Sequence, residues 1–113
     1  MLVDWKQLLQ GAMKAIGDLA RGNPKIMDAA KALEAAGSAH GVLDAKTREL
    51  ISLAVAATTR CETCIAVHAK AAVAAGASRE EILDAMAVAI NLNTGAALVY
   101  ASHILEAYDT LSE

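Results

Sequence analysis

The chain has 113 residues, with 10 Lys and Arg against 13 Asp and Glu, giving a net charge of −3 with histidine neutral. A composition of 56% hydrophobic and 20% charged residues with a single proline excludes intrinsic disorder, collagen-like repeats and a proline-rich linker, and the length suits one domain with a real core. Only Trp5, Tyr100 and Tyr108 are aromatic and no basic run occurs, so nucleic acid finds neither an electrostatic footprint nor stacking platforms.

Over residues 2–20, Trp5, Leu8, Leu9, Ala12, Met13 and Ile16 recur at three and four residues, the stripe of an amphipathic helix that Gly22 stops. Asn23 offers an N-cap and Pro24 a first position for a second helix, running over 24–36 to Gly37. After a loop at 38–41, Asp44 is the candidate N-cap of a third helix with Leu50, Leu53, Ala54 and Ala57 on one face; the β-branched Thr58 and Thr59 weaken its end. A fourth helix takes in 61–75 and closes at Gly76. Ser78-Arg79-Glu80-Glu81 has the S-x-x-E form of a capping box and opens a fifth, reaching about Leu92. Beyond a turn at 93–95, residues 96–111 read as a sixth. No segment alternates with period two, so the expected fold is all-α: a single-domain bundle of about six helices over 1–113.

Residues 85–105 carry no Asp, Glu, Lys or Arg and are long enough to span a bilayer. Asn91, Asn93, Thr94 and Gly95 would place polar, helix-breaking groups at mid-membrane, so two helices meeting at a turn fit better and no membrane association is expected. Residues 1–10 include Asp4 and Trp5 but no basic stretch followed by an apolar core. No secretory signal is therefore expected, and the chain reads as cytoplasmic. Ala dominates the apolar residues, and a helical domain of this size cannot hide so much apolar surface within itself, which predicts a homo-oligomer.

The two cysteines lie three residues apart in Cys61-Glu62-Thr63-Cys64, with His68 four residues further on. On a helix these positions share one face, so both sulfurs and the imidazole line up. In a reducing compartment such a pair is more often catalytic or metal-binding than a structural staple. Reactivity needs thiolate: Cys61 is expected in the first helical turn, where free backbone N–H groups favour an anion, and Arg60 precedes it. His68 is placed to take the Cys64 proton. If the chain turns back near residues 58–60, Glu49 and His68 lie ~15 and ~12 Å from the turn along their helices at 1.5 Å per residue, nearly level. A carboxylate facing an imidazole fixes its tautomer, so Cys64, His68 and Glu49 form a nucleophile, a base and its orienting group. The helix terminus favours Cys61 as attacking sulfur and His68 favours Cys64; the geometry points to Cys64. His40 and His103 receive no role.

The run Lys46-Thr47-Arg48-Glu49-Leu50, the C-x-x-C-x-x-x-H spacing of Cys61, Cys64 and His68, and then Gly76-Ala77-Ser78 and Glu81-Ile82, resemble the alkylhydroperoxidase AhpD-like proteins of the carboxymuconolactone decarboxylase superfamily. The likeness covers about 44–92 and extends more weakly to Tyr108. It implies an all-helical trimer or hexamer that uses its cysteine pair to reduce hydroperoxides or to relay thiol–disulfide exchange with an external dithiol, without cofactor or metal. It also implies that Glu49, Cys61, Cys64 and His68 correspond to the family's proton-relay set. Thr63 stands where some members carry a second histidine. Two alternatives remain. One is the superfamily's ring-lactone decarboxylation, whose enzymes do not use this cysteine pair. The other is a non-enzymatic zinc module on Cys61, Cys64 and His68, with a fourth ligand from His40 or a neighbouring subunit.

Overall fold

Capping side chains set most of the helix boundaries. The computed structural model describes residues 2–113, and among them five helices form: α1 (Trp5–Gly22), α2 (Pro24–Ser38), α3 (Ala45–Thr59), α4 (Glu62–Ala74) and α5 (Arg79–Leu111). Asp4 and Asp44 accept backbone N–H bonds from Gln7 at 3.1 Å and Thr47 at 2.8 Å, opening α1 and α3. Ser78 and Glu81 form the reciprocal capping box of α5 at 3.1 and 3.0 Å. Gly76, at φ 84°, ends α4 in a Schellman turn, with Ala77 N–H on the Ala72 carbonyl. Met1, the first residue of the stretch read for a secretory signal, lies outside the described residues.

The all-α expectation is met, and no strand occurs among the described residues. One boundary is corrected: the turn expected at 93–95 is absent, and the expected fifth and sixth helices are a single helix, α5. Asn93 and Thr94 donate their side-chain N–H and O–H to the Ala89 and Ile90 carbonyls at 2.7 and 3.0 Å, satisfying themselves along the helix instead of competing with it. Gly95 costs about 1 kcal/mol relative to Ala, too little to interrupt flanks rich in Ala, Leu and Ile. The uninterrupted helix is long and apolar enough to cross a membrane by length and composition, the one such helix among the described residues.

The central element is α3, which packs on α4 and α5; α1 lies on α4 and α2 on α1. The buried apolar residues among those described are Leu53, Ala56, Ala66, Ala72 and Ala89, and the four alanines let these helices approach closely. At the outer end of α3, the Arg48 guanidinium donates to the Gly37 carbonyl of α2 at 2.6 and 3.2 Å. The radius of gyration is 18.3 Å, against about 13 Å for a compact chain of this length.

Lys46 at the start of α3 pairs with Glu81 at the start of α5, Nζ to Oε2 2.9 Å. This hydrogen bond, with the Ser78 backbone N–H, holds the Glu81 carboxyl below its usual range and raises the Lys46 ammonium above its own. The Thr47 backbone N–H similarly lowers Asp44. A depressed carboxylate contributes stability that is complete above its unfolded value, about 4, and is lost as pH falls through the folded value. Denaturant midpoints are therefore expected to hold steady from pH 7 to 5 and to fall below pH 4. Glu81→Gln should lower the midpoint at pH 7 and flatten that acid limb, measured by helical circular dichroism in urea.

Candidate active site

The α3–α4 turn brings the candidate residues together. Arg60 takes a left-handed conformation at φ 55°, a backbone state that costs an L-residue about 1–2 kcal/mol. It is held there by the N–H groups of Arg60 and Cys61, which both reach the Ala56 carbonyl. Cys61 is thereby tied to the end of α3, and α4 doubles back along α3.

The structure places Cys61 as the N-cap of α4, one residue before the first turn where it was expected. Its sulfur accepts the Cys64 N–H at 3.2 Å, the position at which a helix start stabilises negative charge. Cys61 and Cys64 form a disulfide across a Cα–Cα separation of 5.2 Å. Both are half-buried. An N-cap has non-helical backbone, which gives the first sulfur the freedom to reach the second across one turn.

Four residues beyond Cys64, His68 meets Glu49 from α3, with Nδ1 to Oε2 at 2.7 Å. The level placement expected from residue counting is realised as a direct contact. A carboxylate accepts but does not donate, so the proton of this bond sits on Nδ1, which leaves Nε2 as the acceptor whenever the ring is neutral. Their side chains are 36% and 22% exposed.

Cys64 and His68 line a groove of about 290 Å³ opposite Ile51, Ser52, Val55 and Thr59 of α3. The Ser52 and Thr59 hydroxyls donate to the Arg48 and Val55 carbonyls at 2.8 and 3.0 Å, so neither donor is aimed at a guest. The wall facing the sulfur is thus mainly apolar. These lining residues were not singled out from the sequence. Their three- and four-residue spacing on α3 is the signal that could have found them.

His40 and His103 lie away from this cluster: His40 is in the exposed segment after α2, and His103 is far along α5. Among the described residues, no group of three or more His, Cys, Asp or Glu side chains is placed to hold a metal ion.

Residues 24–107 match the family model described as the carboxymuconolactone decarboxylase family. An uncharacterized protein of Haemophilus influenzae is 54% identical over 108 residues, covering 96% of this chain and 96% of that protein. Uncharacterized protein 4 in the cox locus of Paracoccus denitrificans is 39% identical over 100 residues, covering 88% of this chain and 90% of its own length. Among solved structures, the apo form of a carboxymuconolactone decarboxylase family protein from Legionella pneumophila superposes with a TM-score of 0.74 at 30% identity, covering 96% of this chain and 97% of that one.

Proposed function

The chain belongs to the carboxymuconolactone decarboxylase family, a family that includes enzymes, and on that premise we propose that it is a thiol-dependent peroxidase that cycles Cys61 and Cys64 between dithiol and disulfide. One observation carries the reading: a C-x-x-C disulfide at a helix start, with His68 one turn on and its imidazole held by Glu49 at 2.7 Å. A core-packing cysteine pair needs no such carboxylate–imidazole partner. The decarboxylase alternative has no use for the sulfurs.

In the proposed cycle the Cys64 thiolate, its proton passed to His68 Nε2, attacks the distal oxygen of a hydroperoxide ROOH. The O–O bond breaks, Cys64 becomes a sulfenic acid, and the alkoxide leaves as ROH with a proton from the imidazolium. Cys61 then gives up its proton and its sulfur attacks the sulfenic sulfur; the S–O bond breaks, the leaving hydroxide takes up that proton as water, and the disulfide forms. An external dithiol reduces it by exchange and is itself oxidised. The balance is ROOH plus two thiols giving ROH, water and one disulfide. The same pair can relay thiol–disulfide exchange without peroxide. No step needs a cofactor or metal, and the cycle suits the cytoplasm, where reductants keep returning the pair to dithiol.

The test is stoichiometric. After reduction and removal of the reductant, one equivalent of hydrogen peroxide or an organic hydroperoxide is expected to remove both free thiols together. Thiols that persist while peroxide remains would overturn the reading.

A further inference from the structure

The start of α1 meets α4 at a second cleft, of about 460 Å³, lined by Trp5, Lys6, Leu9, Gln10 and Lys70. That volume lies within the span of small-molecule sites, about 300–1,000 Å³. The cleft shares no lining residue with the groove at Cys64 and His68. Lys70 stands two residues past His68, about 200° round the helix at 3.6 residues per turn, so the cleft opens across α4 from the thiol pair.

Its two parts differ in chemistry. Trp5 and Leu9, one turn apart on α1, are half-buried and give it an apolar floor. Lys6, Gln10 and Lys70 are exposed and supply two ammonium groups and an amide. Among the described residues, no carboxylate lines the cleft. Asp4, the one acid in residues 1–17, is committed to the Gln7 N–H at 3.1 Å as the cap of α1. Lys70 is the sole Lys, Arg, Asp or Glu between Glu62 and Arg79. Neither Lys6 nor Lys70 joins an ion pair among the described residues. A chain with a net charge of −3 thus sets two uncompensated cations beside its one tryptophan. Two like charges facing one cleft repel, and an anion between them removes that cost while gaining charge-assisted hydrogen bonds.

Lysine is a point charge that does not choose among anions by shape, so the floor decides what else the ligand carries. An indole beside a leucine offers a flat apolar surface on which a ring can stack. A carboxylate is coplanar with the aromatic ring that bears it, so head and ring can lie along that surface together, which a tetrahedral phosphate does not permit. We propose that this cleft is a binding site for a small aromatic carboxylate, its charge between the Lys6 and Lys70 ammoniums and its ring on the Trp5 indole. Because α1 packs on α4, such a ligand fastens the first helix to the one that carries Cys64 and His68. The inference stands whatever the thiol pair does chemically.

Calorimetric titration of the full chain with benzoate is expected to show one saturable site per protomer, with a parallel change in the emission of Trp5, the one tryptophan. Lys6→Gln and Lys70→Gln are each expected to weaken binding about tenfold, the loss of a hydrogen bond to a charged group, and Trp5→Leu about fivefold. Lys25→Gln, on α2 and outside the cleft, should bind as the wild type does. Lys6 and Lys70 are exposed, so both of their variants should keep wild-type helix content, and they test the site even if Trp5→Leu fails to fold. No saturable heat, an affinity unchanged in Lys70→Gln, or equal affinity for uncharged benzamide, for cyclohexanecarboxylate or for inorganic phosphate would each overturn the proposal.

Discussion

Cys64→Ser is expected to lower hydroperoxide consumption by the reduced protein roughly a thousandfold or more, about 4 kcal/mol in the barrier. Serine has nearly the shape of cysteine, but its hydroxyl is not ionised near neutral pH and does not attack an O–O bond, so the fold should survive while the reaction stops. Cys61→Ser is expected to behave differently. Cys64 remains on the groove beside His68, so the first oxygen transfer proceeds and the protein halts after one turnover as a sulfenic acid, trapped by dimedone and located by mass spectrometry. This asymmetry decides between the two sulfurs. If dimedone instead labels Cys61 in Cys64→Ser, the N-cap sulfur, with its backbone N–H bond at 3.2 Å, is the attacking one.

The second large effect concerns the proton. His68→Ala removes the base and is expected to slow peroxide consumption ~100-fold near pH 7, within the 10²–10⁴ range of positioned acid–base groups. Glu49 touches no sulfur in this arrangement and acts through the imidazole, which makes it a positioning residue. Glu49→Gln keeps a hydrogen-bond acceptor at similar reach but not the charge, and is expected to cost about tenfold at pH 7. The pH profile separates chemistry from mere packing. In both variants the rate should recover as pH rises and the thiol ionises unaided. A structural role would instead lower the rate uniformly across pH.

Much of this arrangement was legible before any coordinates, for local reasons. Asp44, Ser78 and Glu81 announce helix starts because capping is a contact over three residues. Glu49 and His68 could be matched because two antiparallel helices joined by a short turn have only one register. Their 2.7 Å contact follows from that geometry. The turn expected at 93–95 failed because Asn, Thr and Gly are weak helix formers but not breakers, and the self-satisfying bonds to Ala89 and Ile90 could not be read from composition. Cys61 slipped one residue, from first turn to N-cap, a shift that alters which group its sulfur touches. Arg60 in a left-handed conformation carries no sequence signal, since glycine is the usual occupant of such a position. The groove wall of Ile51, Ser52, Val55 and Thr59 was hidden for another reason: Ile51 and Val55 look like ordinary core positions, yet they are 49% and 54% exposed.

In the proposed cycle the imidazole and its carboxylate govern sulfur ionisation. Thiolate absorbance in the ultraviolet, followed against pH on the dithiol-reduced protein, reads this directly. Thiolate is expected to form in the wild type well below the ordinary cysteine midpoint of about 8.5, and in Glu49→Gln and His68→Ala the transition should move toward that value. A wild-type transition at the ordinary midpoint, unmoved by either substitution, would contradict the account.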